Sequence, residues 1–132
     1  MQNSRNDILV DTSVWIEAYR KPNSNLAVDL KKLLEEHCVV TTGIIIAEVL
    51  QGAKTQSDFD SLRVHLVTLP ILSESIDDWE EAAHKSYTAR KEGYLVPISD
   101  CLIATIAGKN NCRVFTIDKH FKVLKNVKIW TN

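Results

Sequence analysis

The chain has 132 residues and a mass of 14.9 kDa, with 45% hydrophobic and 25% charged residues, which is the composition of one globular domain. Sixteen Lys and Arg against seventeen Asp and Glu argue against a protein that binds nucleic acid through a broad basic surface. Three cysteines without a C-x-x-C pair favour a reducing, cytoplasmic setting over a disulfide framework or a zinc site. The polar segment Met1 to Asp7 and the short apolar runs predict neither an export signal nor a membrane span.

Strand-like and helix-like segments alternate along the chain. The predicted strands are Ile8 to Val10, Cys38 to Thr41, Val67 to Ile71, Val114 to Ile117 and, more weakly, Val127 to Trp130. Helical periodicity covers Leu26 to Glu36 and Ser75 to Lys91. The alternation predicts an α/β fold, a three-layer α/β/α arrangement with a central parallel sheet of four to five strands, in a single domain over residues 1–132.

Two acidic residues directly follow predicted strands. Asp11 comes after Ile8 to Val10, and Asp118 comes after Val114 to Ile117. In a parallel sheet both carboxylates would lie at the carboxyl edge, where ligands of open α/β sheets bind. Each residue is also suited to capping the turn or helix that follows, so capping is the alternative at both positions. Asp7 precedes the first strand and should face away from that edge.

Asp100 precedes an almost wholly apolar helical segment, Cys101 to Ala107. Ser99 is a natural N-cap, and Asp100 in the first turn would complement the helix dipole, which is the structural alternative. The apolar character of this helix nevertheless implies that its start packs against the sheet.

Glu48 is the only charged residue between Cys38 and Gln51. Helical spacing places Ile44 and Ile45 on the same face as its carboxylate. A lone carboxylate on such a face costs free energy unless it is paired or binds a metal ion, so we favour a functional role over a solvated strip of helix.

Four acids are thus candidates for one site: Asp11, Glu48, Asp100 and Asp118. Together they predict oxygen-only coordination of a hard divalent cation, Mg²⁺ or Mn²⁺. Such sites usually serve phosphoryl transfer or phosphodiester hydrolysis. The histidines show no ligand spacing, and we expect each of them at the surface, although His120 is close to the predicted edge.

The segments that carry these acids resemble the PIN-domain ribonucleases and, more narrowly, the VapC toxins of type II toxin–antitoxin modules. They are Ile8 to Ile16, the helix around Glu48, Val96 to Ala104, and Val114 to Phe121. The match covers essentially the whole chain in the right order, and the ordered set of four acids makes it specific.

The resemblance implies that the four acids form a quartet that binds Mg²⁺ or Mn²⁺, and we expect Asp11 and Asp100 to be the direct ligands. It implies that Thr12, Ser13 and Thr116 are supporting hydroxyls near the site.

The resemblance also implies partners: an RNA substrate cut to leave a 5′-phosphate, a second copy of the chain in a homodimer, and a small antitoxin protein that blocks the groove. Trp15, Ile16 and Tyr19 on the first helix are candidates for receiving the antitoxin, with core packing as the alternative.

Other Mg²⁺-binding α/β proteins fit less well. A response-regulator receiver needs an acid after the middle strand, and Val67 to Ile71 contains none. A haloacid-dehalogenase-like phosphatase needs a second Asp two residues after Asp11, where the chain has Ser13. A housekeeping PIN nuclease and a catalytically silent PIN domain that binds RNA or protein remain open alternatives.

Overall fold

A computed structural model describes residues 6–132, and at its centre lies a parallel sheet of four strands. The strands are β1 (Ile8–Val10), β2 (Val39–Thr42), β3 (Ile71–Leu72) and β4 (Arg113–Phe115). The helices that flank the sheet are α1 (Thr12–Arg20), α2 (Asn25–Glu35), α3 (Gly43–Gln51), α4 (Gln56–Val67), α5 (Ile76–Lys91) and α6 (Ile98–Lys109). The predicted three-layer α/β/α fold is confirmed.

The strand order β3-β2-β1-β4 places β1 inside the sheet. Ile8 pairs with Val39 of β2 and with Arg113 of β4, and all three residues of β1 are buried. The chain runs from β1 to β2 and β3 on one side and reaches β4 on the other. The carboxyl ends of β1 and β4 therefore border the switch point, which is where open parallel sheets bind ligands.

Helix α6 forms much of the core behind this switch point. Every residue from 100 to 107 is buried, as the apolar sequence of this segment predicts. Helix α5 packs along α6, and Lys109 of α6 joins Asp78 of α5 through a 2.6 Å ion pair. Among residues 6–132, every helix is too short or too polar to span a bilayer.

Two predicted strands differ from the structure. Val67 ends α4, a helix that the sequence analysis did not predict, and the strand next to it is only Ile71–Leu72. The physical reason is that α4 buries only Leu62 and Leu66, too few positions for a clear helical period. The fifth strand is reduced to one bridge between Ile129 and Val114.

Two helix predictions also need correction. Pro97, not Ser99, is the N-cap of α6, because the Pro97 carbonyl already accepts hydrogen bonds from Asp100 N and Cys101 N. The apolar stripe that predicts α5 lies on the solvent side of this helix: Ile76, Trp79, Ala83 and Tyr87 are exposed. The prediction of one domain over residues 1–132 stays a prediction, since residues 1–5 lie outside the described range.

Candidate active site

Asp11 lies where β1 ends and α1 begins, and it is 2% exposed. Its Oδ2 accepts hydrogen bonds from Ser13 N, from Ser13 Oγ at 2.6 Å and from Thr116 Oγ1 at 2.9 Å. The residue is therefore the N-cap of α1 and also part of the carboxyl edge. Because all three bonds reach Oδ2, the other carboxylate oxygen is left for a different ligand.

Thr116 connects Asp11 to a second acid. Its hydroxyl oxygen accepts a 2.9 Å hydrogen bond from Asp118 N while its proton is donated to Asp11. Asp118 in turn caps a short 3-10 helix, Lys119–Lys122, by accepting from His120 N at 2.9 Å. The expected meeting of Asp11 and Asp118 at one edge is thus observed, and both residues are caps as well.

Asp100 lies in the first turn of α6 and is 6% exposed. Burial, together with the charge and the hydrogen bond of Asp118, raises the pKa of its carboxyl to about 8. Asp11 and Glu48 are close enough to raise this pKa further. The other three predicted acids therefore all act electrostatically on Asp100.

Glu48 projects from α3 and is half-buried. Its Oε1 accepts a 2.7 Å hydrogen bond from Thr12 Oγ1, the first residue of α1. The isolated carboxylate on an apolar helix is thus paired with a hydroxyl. Thr12, Ser13 and Thr116, the three predicted supporting hydroxyls, each contact an acid of the cluster.

His120, predicted to be a surface histidine, is partly exposed, but its ring also contacts two acids of the site. Its Nδ1 lies 2.7 Å from Asp118 Oδ1 and 3.4 Å from Asp100 Oδ2, and its side chain is about one third exposed. Ligand atoms of Asp100, Asp118 and His120 all lie within 4.8 Å of one another. The sequence signal that could have placed His120 at the site is its position two residues after Asp118, in a turn that folds back over that acid.

The surroundings of the acids shift their pKa values in opposite directions. Burial raises the pKa of Asp11 despite the hydrogen bonds from Ser13 and Thr116. Partial burial alone would raise the pKa of Asp118 too, but the His120 backbone N–H, the Asp100 hydrogen bond and the His120 side chain lower it. The pKa of Asp118 therefore lies below its usual value, while that of Asp100 beside it lies above.

The cluster fits a hard divalent cation. Asp100 Oδ2 is buried with His120 Nδ1 at 3.4 Å and has no hydrogen bond within the described residues. A buried carboxylate oxygen of this kind is stabilised by a cation, and the carboxylates of the cluster are ligands that suit a hard divalent ion. Asp7, by contrast, precedes β1 at the amino end of the sheet, where its carbonyl accepts from Arg113 N.

Comparison with known proteins identifies the family. Residues 8–127 match the PIN domain family. The chain belongs to the PIN-domain family. This PIN domain is 33% identical over 124 residues to Ribonuclease VapC11 of Mycobacterium tuberculosis and to VapC ribonuclease Mb1587 of Mycobacterium bovis. The alignments cover 91% of this chain and 92% of each relative, which confirms the resemblance stated from the motifs.

Solved structures confirm the PIN fold. VapBC2 from Rickettsia felis, bound to a DNA fragment from its promoter, gives a TM-score of 0.77 at 21% identity over 94% of this chain and 98% of that one. VapC20 of Mycobacterium tuberculosis, described as a toxin that cleaves the sarcin–ricin loop, gives 0.67 at 16% identity over 92% and 99%.

Proposed function

We propose that this PIN domain is a metal-dependent endoribonuclease and the toxin of a type II toxin–antitoxin module, acting in the cytoplasm. The observation that carries the proposal is the convergence of Asp11, Asp100 and Asp118 at one sheet edge, in a chain 33% identical to VapC ribonucleases. The substrate is RNA, and the reaction is hydrolysis of a phosphodiester bond.

Each site residue has a separate task. Asp11 and Asp100 would bind Mg²⁺ or Mn²⁺ directly, with Asp118 and Glu48 completing the acidic quartet. A bound divalent cation lowers the pKa of water and offsets the negative charge that grows on the phosphate. Ser13 and Thr116 fix the orientation of Asp11, and Thr12 fixes that of Glu48, through the hydrogen bonds described above.

The antitoxin would occupy an apolar groove of about 420 Å³ between α1, α3 and α4. Its floor is formed by Trp15, Val49 and Leu62, while Ile16 and Tyr19 are exposed beside it. An apolar segment suits this surface, because the floor of the groove consists of large apolar side chains.

The homodimer would form through the exposed stripe of α5. Ile76, Trp79 and Tyr87 are large apolar groups in contact with solvent, with the small Ala83 between them. Packing about a twofold axis near Ala83 would bury this stripe against the same stripe of a second copy, as an interface between identical surfaces requires.

The experiment that tests the proposal is sequencing of RNA ends after induced expression of the intact protein and of Asp11→Asn. New 5′-phosphate ends that require Asp11 support it. Absence of new ends favours the catalytically silent PIN domain. Cleavage without growth arrest, and without a small protein that co-purifies from the native host, favours the housekeeping nuclease.

A further inference from the structure

Another cavity adjoins the acid cluster at His120. It has a volume of about 270 Å³ and lies between the last turns of α5, loop 94–97 and His120. His120 contacts Asp118 and Asp100 with Nδ1, so one side chain separates the cavity from the acids. We call this space the flank cavity.

Local backbone structure fixes one wall of the flank cavity. Helix α5 ends with Gly93 N donating to Arg90 O and Tyr94 N donating to Ala89 O, and Gly93 adopts a φ of 94°. This double hydrogen bond is the Schellman motif, whose reversal of the chain requires the left-handed glycine. Tyr94 is therefore held at the cavity by the helix end, and Pro97 then starts the helix that carries Asp100.

The flank cavity combines an aromatic ring, an apolar floor and a cation. Tyr94 is 48% exposed, Val96 is buried beneath the loop, and Leu95 is 81% exposed. Arg90 adds an exposed guanidinium to the same wall. A ring beside a guanidinium is the combination that receives an unpaired nucleotide, because the base stacks on the ring and the phosphate pairs with the cation.

Charge also favours RNA at this position. The net charge of the chain is -1 and the acid cluster repels a polyanion, so local cations must hold the strand beside it. Arg90 lines the flank cavity, and the exposed Lys119 and Lys122 flank His120 in the short 3-10 helix. Of these three cations, Arg90 lines the cavity itself.

We propose that the flank cavity is a nucleotide subsite, in which Tyr94 stacks an unpaired base next to the scissile phosphate of the RNA and Arg90 pairs with a neighbouring phosphate. This inference rests on the proposed ribonuclease function and adds where the substrate lies. It makes Tyr94 and Arg90 binding residues that no acid motif reveals.

Cleavage kinetics of a fluorescein-labelled, mixed-sequence single-stranded RNA test the subsite. In Mn²⁺, Tyr94→Ala should lower kcat/KM at least about fivefold, the effect of losing one stacked base, while Tyr94→Phe keeps the ring and stays near the parent. Arg90→Gln should lower kcat/KM and reduce the slope of log affinity against log salt by about 0.7, as for one lost phosphate contact. Arg63→Gln, an exposed substitution on α4, should change neither.

Two further measurements exclude indirect effects. The Mn²⁺ dissociation constant and the sedimentation coefficient of Tyr94→Ala and Arg90→Gln should equal those of the parent. A weakened Mn²⁺ site in Tyr94→Ala would mean that the residue acts through the acid cluster, which contradicts a subsite.

Fluorescence anisotropy of the same RNA in EDTA separates this inference from the proposed function. Cleavage by the parent, with Tyr94→Ala and Arg90→Gln equal to it, overturns the subsite alone. RNA binding that depends on Tyr94 and Arg90 without cleavage overturns the nuclease proposal alone. A parent that neither binds nor cleaves the RNA overturns both.

Discussion

The hydroxyl of Thr116 lies 2.9 Å from Asp11 Oδ2, although the two residues are 105 positions apart along the chain. The same oxygen accepts a 2.9 Å hydrogen bond from Asp118 N. One threonine therefore sets the spacing between the acid that follows β1 and the acid that follows β4. Side chains that orient metal-binding carboxylates in this way contribute to affinity without touching the ion.

Thr116→Val should weaken Mn²⁺ binding and RNA cleavage by about 10- to 100-fold, because it removes the donor to Asp11 and the acceptor for Asp118 N. Thr116→Ser keeps the hydroxyl and should stay close to the parent. Calorimetric titration with Mn²⁺ measures the effect. Equal Mn²⁺ affinity in Thr116→Val and Thr116→Ser would mean that the bridge plays no part in organising the site.

His120→Ala should lower Mn²⁺ affinity by about tenfold, because Asp118 loses the Nδ1 contact at 2.7 Å and the cluster loses its imidazole. His120→Asn places an amide nitrogen near the Nδ1 position and should recover part of this loss. The control is His65→Ala, an exposed histidine on α4. Unchanged Mn²⁺ affinity in His120→Ala would return His120 to the surface role first expected of it.

The metal-free protein should lose stability as the pH rises from about 4 to about 8. The folded state binds more protons than the unfolded state in this window, because the pKa of Asp100 rises from 3.8 to about 8 and that of Asp11 is also raised. Asp78 and Asp118, whose pKa values are lowered, titrate below the window and contribute stability that is lost only under acid conditions. Thermal melts in EDTA between pH 5 and pH 8 measure the decline.

Asp100→Asn is the variant that tests whether Asp100 causes this loss of stability. It should melt higher than the parent in EDTA at pH 8, with a smaller difference at pH 5, since the amide cannot ionise beside Asp118. The parent should regain about 2.7 kcal/mol when Mn²⁺ reaches a hundred times its dissociation constant, and the variant should regain less. If the variant melts lower than the parent at pH 8 and gains equally from Mn²⁺, Asp100 only stabilises the first turn of α6 and does not bind the metal ion.

Trp79→Lys should convert the proposed homodimer into a monomer, because it places a charge within the apolar stripe of α5. Val64→Lys is the control, since Val64 is also an exposed apolar residue, at 58% against 40% for Trp79, but lies on α4. Sedimentation velocity at one protein concentration distinguishes the two variants. A dimer that survives Trp79→Lys, or dissociates in Val64→Lys, places the interface elsewhere.

The positions of the four acids in the fold could be predicted because each acid is tied to a local pattern. Asp11 and Asp118 follow buried strands, so the parallel sheet alone places both of them at one edge. Asp100 and Glu48 stand out because the helices around them are apolar. Asp11 and Asp118 also cap the helices that follow them, and this does not exclude a place in the site, since one carboxylate can fill both roles.

The remaining contacts depend on distances that no local pattern encodes. His120 reaches Asp100 only because the 3-10 helix turns back over the start of α6. The Trp79 stripe predicts a helix correctly but does not reveal that small residues such as Ala82 form its buried side. β3 is an edge strand of two residues, and its sequence signal merges with the end of α4.

The central claim is that the acids at one carboxyl edge of the sheet catalyse the cleavage of RNA. Mn²⁺-dependent cleavage of labelled RNA by five single-site variants tests it most directly. Four of them change the quartet: Asp11→Asn, Glu48→Gln, Asp100→Asn and Asp118→Asn. Each of the four should reduce kcat, most severely at Asp11 and Asp100, and Asp7→Asn, at the opposite end of β1, should match the parent. Loss of activity in Asp7→Asn equal to that in Asp11→Asn, with both proteins folded, would contradict the account.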